Sequence, residues 1–380
     1  MAAIVSPNRR AETTCGRSSH LFPERQAVCY DTFGMMDFRT TIQRGRLRYN
    51  RFWRDYGYHH GKVKLRNLPE VFAIESTNYC NLRCVMCPRG EPDIMTRPLG
   101  NMSDTLFKKI VDEADFFTEP CWFHWFGEPL MHPRLFEQIA YAKNRGVPNL
   151  GISTNATLLN FKRAEAILQS PLDTVMIAID GTRKETYEKI RISSTFTFEE
   201  VCENVRDFLA LRKRHGKRAP RTILSIIVME ETKAQLAEFR HEWEGRGADE
   251  ILFKNYVTWA NQSQEFVQLA PAEARDHLTQ AVREFPCFFM WESVVIGWDG
   301  RVVPCCFDYD ATVTLGDLNT QSLRDIWNSE RYVTLRKKEL EGRNDTPLCR
   351  NCNQAPGFAR NPLWPLKAGR PSDPTSKILP

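Results

Sequence analysis

The 380-residue chain has no apolar run of the roughly 18 residues that a membrane-spanning helix requires. Residues 1–26 lack the apolar core of a secretory signal peptide. The sequence also has no phosphate-binding glycine loop, no hydrolase triad signature and no helical DNA-reading module. These absences predict a cytoplasmic protein that binds neither membranes nor nucleic acids.

A large excess of one charge sign is also absent, because the formal net charge is only +5. The positive excess is concentrated near the start, where residues 1–70 hold 13 Lys and Arg against 6 Asp and Glu. Such a region can attract an acidic electron donor of the ferredoxin or flavodoxin type. A solvated extension without a partner explains the same composition, so both interpretations stay open.

Cysteine, by contrast, is abundant, with 12 residues. In a reducing compartment, cysteines serve as metal ligands or buried thiols rather than as disulfides. The most informative three are Cys80, Cys84 and Cys87, which have the spacing C-x3-C-x2-C and follow a strand-like segment.

Three thiolates this close together can bind three irons of a cubane [4Fe–4S] cluster and leave the fourth iron without a protein ligand. An iron with a free coordination position can bind a chelating substrate, which indicates catalysis rather than electron transfer alone. The alternatives are a zinc site or structural thiols. Zinc prefers four ligands, and no fourth Cys or His lies near Cys87 in the sequence.

This cysteine motif resembles that of the radical SAM superfamily. The resemblance implies that the open iron binds S-adenosylmethionine and that cleavage of this compound yields a 5′-deoxyadenosyl radical. That radical then removes a hydrogen atom from the substrate. One departure is Met86, which stands where the family usually has an aromatic residue. The family's backbone contacts the adenine there, so we expect methionine to be tolerated with a softer packing surface.

Strand-like and helical segments alternate through most of the chain. We expect buried parallel strands at 71–77, 121–127, 149–155, 174–180, 221–229 and 250–257. Helical patterns lie between them near 103–117, 132–146, 160–170, 198–214 and 233–246, with starts at Ser103 and Asn160. Such alternation predicts a parallel sheet with right-handed crossovers. Six strands fall short of the eight that close a full barrel. The predicted α/β fold is therefore a partial (β/α)6 TIM-like barrel, which is also the fold that the resemblance implies.

Composition divides the chain into four predicted parts. Residues 1–69 are an extension with a helical lead-in, partly disordered. Residues 70–270 form the barrel, and residues 271–360 form a smaller cysteine-rich domain. Residues 361–380 are rich in proline and are expected to be a flexible tail.

Residues after the second and third predicted strands match further radical SAM positions. Gly127, Glu128 and Pro129 resemble the G-E-P motif, whose backbone and acid group hold the methionyl ammonium of the cosubstrate. Ser153 and Asn155 are polar groups suited to ribose hydroxyls. Capping of strand ends and turn formation would explain Ser153 and Asn155 equally well.

Two later positions also match the family. Asp180 lies in the segment 178–181, which is similar to the family's S-I-D-G, with Ala178 in place of the usual serine. Arg191 matches a position where arginine pairs with the methionyl carboxylate. Turn formation is the alternative for Asp180, and an ordinary surface position on a helix is the alternative for Arg191.

A second group of cysteines resembles the SPASM/twitch extension, which binds auxiliary iron–sulfur clusters. The expected ligands of one auxiliary [4Fe–4S] cluster are Cys287, Cys305, Cys349 and Cys352. Full SPASM domains carry more cysteines, so the resemblance is to the shorter twitch form. Cys306 should point to the opposite face of its strand and is interpreted as a non-ligand. A structural zinc ion is the competing interpretation of this second site.

The paired sites predict an oxidoreductase that removes hydrogen from a small molecule. The resemblance is to enzymes that dehydrogenate or epimerise carbohydrate or aminocyclitol alcohols, with Cys306 as a candidate hydrogen donor in an epimerisation. One alternative is a maturase of ribosomal peptides or proteins, although residues 1–70 show no winged-helix pattern. A non-catalytic metal-binding protein is a third hypothesis.

Overall fold

A computed structural model describes residues 33–114, 120–216, 219–281 and 286–353, with side chains from residue 45 onward. The chain divides into two compact units, residues 1–45 and 46–380. In the first unit, the described residues form the start of helix α1. All the strands and the remaining helices belong to the second unit. The predicted disorder of residues 1–28 and the predicted tail at 361–380 lie outside the described residues.

Eleven strands are present among the described residues. They are β1 (Glu70–Ile74), β2 (Arg83–Cys84), β3 (Cys121–Trp122), β4 (Leu150–Thr154), β5 (Thr174–Ala178), β6 (Arg191–Ile192), β7 (Arg221–Val228), β8 (Glu250–Asn255), β9 (Ser293–Ile296), β10 (Arg301–Val303) and β11 (Gly316–Asp317). The helices are α1 (Phe33–His59), α2 (Asp104–Glu113), α3 (Leu135–Asn144), α4 (Phe161–Gln169), α5 (Lys184–Ile190), α6 (Phe198–Arg214), α7 (Leu236–Trp243), α8 (Gln264–Leu269), α9 (Arg275–Thr279), α10 (Phe289–Glu292), α11 (Leu323–Trp327), α12 (Glu330–Leu340) and α13 (Pro347–Arg350).

One large sheet has the strand order β11-β10-β9-β1-β3-β4-β5-β7-β8. Six neighbouring strands of this sheet pair in parallel, in the order β1-β3-β4-β5-β7-β8. Helices connect these strands along the chain. The predicted partial barrel is therefore confirmed. Each of its six strands overlaps a segment predicted from the sequence, although β3 has only two residues of the predicted 121–127.

The C-terminal segment extends the same sheet. Strand β9 pairs in parallel with β1, and β10 and β11 follow in antiparallel pairing. The cysteine-rich segment is thus attached directly to the first barrel strand, which places its loops beside the loop that follows β1.

Helix starts follow the local sequence. The side chain of Ser103 accepts a hydrogen bond from the Leu106 backbone N–H, and Asn160 caps α4 in the same way, as predicted. Helix α5 was not predicted; it is only seven residues long, and no side chain caps its first residue. The chain then passes directly into β6, which pairs with β2 in a separate two-stranded sheet.

Two apolar layers lie on the two sides of the sheet. The larger one packs the sheet against the surrounding helices. The smaller one, which we call the interior cluster, consists of Ala73, Trp122, Met176, Ile223, Leu252, Val295, Val303 and Ala311. Seven of its eight members lie on seven different strands and point inward, so they form the apolar floor of the barrel. Among the described residues, no helix combines the length and the apolar character needed to cross a membrane.

Candidate active site

The three cysteines of the first motif lie in the loop between β1 and α2. Cys84 is part of β2, and the backbone N–H of Cys87 donates to the Cys84 carbonyl oxygen over 3.0 Å. Cys84 is buried, whereas Cys80 and Cys87 are half-buried. Burial, with the neighbouring thiols as a further cause, raises the pKa of Cys80 to about 12 and that of Cys87 to about 11. Without a metal, these thiols therefore keep their protons. A metal cluster would supply the positive charge that stabilises the thiolate form.

Two side chains from later strands contact these sulfurs. The guanidinium Nη1 of Arg191 lies 3.9 Å from the Cys84 sulfur. The amide Nδ2 of Asn155 lies 4.0 Å from the Cys80 sulfur. Arg191 reaches this position because β6 pairs with β2, with Cys84 opposite Arg191. Hydrogen bonds of this kind orient thiolate ligands and modulate a bound cluster.

The Gly-Glu-Pro segment packs against the start of the cysteine loop. Gly127 has a φ of +86°, and a Cβ atom at this position would lie 2.5 Å from the Thr77 carbonyl oxygen. The backbone N–H of Glu128 donates to the Tyr79 carbonyl oxygen over 2.8 Å. Only glycine permits both the left-handed backbone and the close approach. Pro129 follows as the first residue of a short 3₁₀ turn.

The Glu128 carboxylate is buried and accepts three hydrogen bonds. Its donors are the Thr154 hydroxyl at 2.8 Å, the Asn155 backbone N–H at 2.8 Å and the Leu130 backbone N–H at 3.1 Å. Burial raises the pKa of Glu128, and these hydrogen bonds oppose the rise. The donors fix the carboxylate between β3 and β4. Its predicted contact with an ammonium group stays a prediction.

Asp180 and Arg191, predicted as separate ligands of the cosubstrate, form one buried ion pair. Arg191 Nε and Nη2 donate to Asp180 Oδ2 over 3.0 and 2.6 Å. Asp180 Oδ1 accepts from the Ile227 backbone N–H over 2.8 Å. Arg191 is only 7% exposed, so the alternative of an ordinary surface residue is wrong. The pair holds the guanidinium beside Cys84.

Ser153 and Asn155 are both at the end of β4, but they make different contacts. The Asn155 side-chain oxygen accepts from the Thr157 hydroxyl over 2.6 Å, and its Nδ2 donates to Asn81 over 3.1 Å. The Ser153 backbone N–H donates to His124 Nδ1 over 3.0 Å. Asn155 therefore braces the cysteine loop, and a ribose contact for either residue stays a prediction.

The four predicted ligands of the auxiliary cluster line one cavity. Its empty space is about 310 Å³ and is partly open to solvent. The lining residues are Cys287, Cys305, Cys349, Cys352, Ala260, Phe289, Met290, Phe307, Arg343 and Leu348. Burial, together with neighbouring acidic groups and thiols, raises the pKa of Cys287, Cys305 and Cys349. All described cysteines are free thiols, and four thiols around an apolar cavity suit a metal cluster.

Cys306 is not among the residues that line this cavity. It packs instead against the interior cluster of the barrel, together with Trp125. The indole N–H of Trp125 donates to the Cys306 carbonyl oxygen over 2.8 Å. Two adjacent cysteines, Cys305 and Cys306, therefore face the auxiliary cavity and the barrel interior respectively.

Family comparison agrees with this geometry. The model of the radical SAM superfamily matches residues 74–242, and the model of the SPASM domain, an iron–sulfur cluster-binding domain, matches residues 287–353. The chain is a member of the radical SAM superfamily. Like other members it is an enzyme that uses S-adenosylmethionine and a [4Fe–4S] cluster and requires a reductant, and its SPASM domain adds an auxiliary iron–sulfur site.

Similar proteins cover most of this radical SAM enzyme. It is 28% identical over 307 residues to the tungsten-containing aldehyde ferredoxin oxidoreductase cofactor-modifying protein of Pyrococcus furiosus. The aligned region covers 69% of this chain and 82% of that protein. It is 23% identical over 287 residues to the S-adenosyl-L-methionine-dependent 2-deoxy-scyllo-inosamine dehydrogenase of Niallia circulans, over 74% of this chain and 92% of that enzyme. The structure of Streptococcus suis SuiB bound to S-adenosylmethionine has a TM-score of 0.53 at 14% identity, over 82% of this chain and 74% of that one. This last likeness shows the fold.

Several residues of the radical SAM site were not predicted from the sequence. Trp259 donates its indole N–H to the Met86 carbonyl oxygen over 2.8 Å, beside Cys87. Arg97 forms a bidentate pair with buried Glu75 and donates to the Tyr309 carbonyl oxygen. These contacts join distant parts of the chain, so no local pattern indicates them. Lys254 on strand β8 was also missed, although a lysine within an apolar strand pattern is a visible signal.

Among the described residues, no three His, Cys, Asp or Glu side chains are close enough together to bind a single metal ion. A cubane cluster, by contrast, contains four irons.

Proposed function

We propose that this radical SAM enzyme oxidises an alcohol carbon of a small cyclic substrate, a carbohydrate or an aminocyclitol, to a ketone. S-adenosylmethionine bound at a cluster of Cys80, Cys84 and Cys87 would supply the 5′-deoxyadenosyl radical that removes hydrogen from this carbon. The protein itself must hold substrate and cosubstrate in order and exclude water.

In this proposal, the residues around the cysteine loop bind the methionyl and ribose groups. Gly127 and Glu128 hold the ammonium, which suits a buried carboxylate at a close backbone approach. Arg191 holds the carboxylate, supported by its position beside the Cys84 sulfur at 3.9 Å. Ser153 and Asn155 face the ribose. The ion pair with Asp180 fixes the direction of the guanidinium, so Asp180 acts as a positioning residue.

The observation that carries the proposed oxidation is the cavity shared by Cys287, Cys305, Cys349 and Cys352. Four thiols would saturate the protein-ligand positions of one [4Fe–4S] cluster and leave no iron for the substrate. A cluster without an open iron suits electron acceptance, which is what oxidation of a carbon radical requires. The similarity to the 2-deoxy-scyllo-inosamine dehydrogenase of Niallia circulans supports the same class of reaction.

Epimerisation is the other fate of a carbon radical, and it requires a hydrogen donor. Cys306 is the candidate, because it packs against the barrel interior while Cys305 lines the auxiliary cavity. Replacing Cys306 with alanine would change the product of an epimerase while S-adenosylmethionine is still cleaved. An unchanged product after this substitution would remove Cys306 from the mechanism and favour the dehydrogenase.

The test uses anoxic enzyme, dithionite, S-adenosylmethionine and a panel of polyols that includes 2-deoxy-scyllo-inosamine. Mass spectrometry should detect 5′-deoxyadenosine together with a product that is two hydrogens lighter. A Cys349→Ala variant should form 5′-deoxyadenosine but much less ketone. Turnover of a peptide and of no polyol in the panel would instead indicate a peptide maturase and contradict the proposal.

A ferredoxin or flavodoxin in the cytoplasm is the proposed electron donor. The positive excess of residues 1–70 supports an acidic partner. If the attraction is electrostatic, the rate of cluster reduction by a flavodoxin should fall steeply as ionic strength rises, because salt screens exposed charges. A rate independent of salt would argue against a basic docking surface.

A further inference from the structure

We propose that the amine of Lys254 accepts the hydroxyl proton of the substrate as the alcohol is oxidised. This inference rests on the proposed dehydrogenation, and it assigns a proton acceptor to a reaction that releases one proton. It is drawn from the position of Lys254 in the barrel, from its lack of a fixed partner among the described residues and from the chemistry of the groups around it.

The position of Lys254 follows from the alternation of strand β8. Leu252 belongs to the interior cluster, and side chains two residues apart point to the same face of a strand. Lys254 therefore projects into the barrel, above the apolar floor. His124 has the corresponding position on the opposite side, two residues after Trp122, and its ring lies 5.2 Å from the Trp122 ring.

In the part of the chain that the structure describes, no side chain holds the amine in place. Lys254 Nζ forms no hydrogen bond or ion pair with these residues, although Lys254 is only partly exposed. The carboxylate that acts on it, Asp180, is already bound to Arg191 and to the Ile227 backbone N–H. Asp180 therefore stabilises a Lys254 ammonium ion only from a distance, without a hydrogen bond to it.

Burial, rather than the sum of the neighbouring charges, favours the neutral form of Lys254. Burial lowers the pKa of Lys254, and Arg191 lowers it further, while Asp180 and Cys306 oppose the change. A lowered pKa makes the neutral amine easier to populate, and a neutral amine is a base. The charge of Arg191 also disfavours a permanent second cation at this place.

The other titratable groups facing Lys254 cannot take its role. Burial lowers the pKa of His124 to about 3, and its Nδ1 accepts the Ser153 N–H, so Nε2 carries the hydrogen and can only donate. Asp180 is paired with Arg191, and Arg191 remains charged. The Cys306 thiol retains its proton, because burial raises its pKa to about 12. Lys254 is the base that remains among these groups.

The proposed oxidation conserves atoms and electrons. The adenosyl radical takes the hydrogen atom from the carbinol carbon and leaves a carbon radical that carries the hydroxyl group. The O–H bond breaks, and its proton moves to Lys254 Nζ. The carbon–oxygen double bond forms, and one electron leaves to a one-electron acceptor of the iron–sulfur class, which the Cys287, Cys305, Cys349 and Cys352 site would hold. The ammonium then releases the proton to solvent.

Two substitutions separate a base from a binding cation. With a deuterated polyol probe, the ratio of ketone to deuterated 5′-deoxyadenosine should fall about 100-fold or more in Lys254→Met, since general bases typically contribute 10²–10⁴-fold. Lys254→Arg should fail as severely, because its guanidinium stays protonated. Near wild-type ketone formation by Lys254→Arg would show that the residue is a cation for an anionic group, and it would overturn the proposal.

A second measurement requires no substrate. Competitive labelling of the anoxic holoenzyme with acetic anhydride across pH, quantified by mass spectrometry, reports the titration midpoint of each amine. Lys254 should titrate below exposed Lys189, which forms an ion pair with Glu231. A midpoint equal to that of Lys189 would overturn the proposal. If no polyol is oxidised but Lys254 titrates low, the proposed substrate is wrong while the basicity of Lys254 stands.

Discussion

Asp180 and Arg191 are a charge pair that the barrel buries, and each depends on the other. Asp180 is fully buried and accepts from two guanidinium nitrogens and one backbone N–H. Removal of one member leaves an uncompensated charge in a medium of low polarity. The pair therefore acts on stability as well as on the position of the arginine beside Cys84.

Substitution of Asp180 by alanine should lower the free energy of unfolding by about 3–5 kcal/mol. The cause is the buried Arg191 guanidinium that is left without a partner. Urea unfolding of the metal-free protein measures this. The control is Glu238→Ala, which breaks the exposed Arg183–Glu238 pair and should have no measurable effect. Equal effects of the two substitutions would contradict the importance of the buried pair.

Two glycines allow the cost of a left-handed backbone to be measured separately from the cost of a steric clash. Gly127 and Gly146 have similar φ values, +86° and +91°, but an added Cβ would lie 2.5 Å from the Thr77 oxygen at Gly127 and would meet nothing within 4 Å at Gly146. Gly146→Ala should cost about 1–2 kcal/mol from the left-handed backbone alone. Gly127→Ala should cost more and should also weaken S-adenosylmethionine binding, measured by calorimetry on the reconstituted enzyme. Equal losses would show that the close approach is unimportant.

At the scale of elements, periodic segments were predictable and short pairings were not. Helices α2, α3, α4, α6 and α7 and the barrel strands other than the two-residue β3 are long enough for their apolar period to appear in the sequence. Strands β2 and β6 have two residues each, which is too short for any period. Their pairing nevertheless brings Arg191 to Cys84. The motif match identified Arg191, but its contact with Asp180 depends on long-range structure.

Helix α6 provides a test of local stabilisation. Thr197 and Glu200 form a capping box, in which each side chain accepts from the backbone N–H of the other residue. Thr197→Ala should lower the free energy of unfolding by about 0.5–2 kcal/mol. Thr197→Ser should keep most of the stability that the cap provides, because serine retains the hydroxyl group. Urea unfolding is again the measurement. A serine variant as unstable as the alanine variant would indicate that the threonine methyl group, rather than the cap, matters.

At the scale of the whole molecule, one group of cysteines lies in the loop between β1 and α2, and the other lines a cavity of the C-terminal segment. The first group was recognisable from its local spacing, whereas the second, which spans residues 287–352, was identified by its resemblance to the SPASM/twitch extension. The opposite orientations of Cys305 and Cys306 were predicted from strand alternation and are confirmed. The orientations of Lys254 and His124 were not predicted, because they depend on which face of the sheet turns inward. Glu75 and Arg97 connect the first cysteine loop to the loop at Tyr309, a link that only the folded chain shows.

Iron analysis of anoxic protein tests the two-site arrangement. The triple variant Cys80→Ala, Cys84→Ala, Cys87→Ala should lose about half of the iron and sulfide, since both sites are proposed to hold [4Fe–4S] clusters. The pair Cys349→Ala, Cys352→Ala should lose the other half. Loss of all iron in the first variant, with its unfolding midpoint unchanged, would contradict two independent sites.

The central claim is that Cys80, Cys84 and Cys87 hold the cluster at which S-adenosylmethionine is cleaved. The most direct measurement is the amount of 5′-deoxyadenosine formed from S-adenosylmethionine by reduced, anoxic enzyme and by its Cys84→Ala variant. The account predicts formation by the wild-type chain and none above background by the variant. Equal amounts from both proteins, or none from iron-loaded wild-type enzyme, would contradict it.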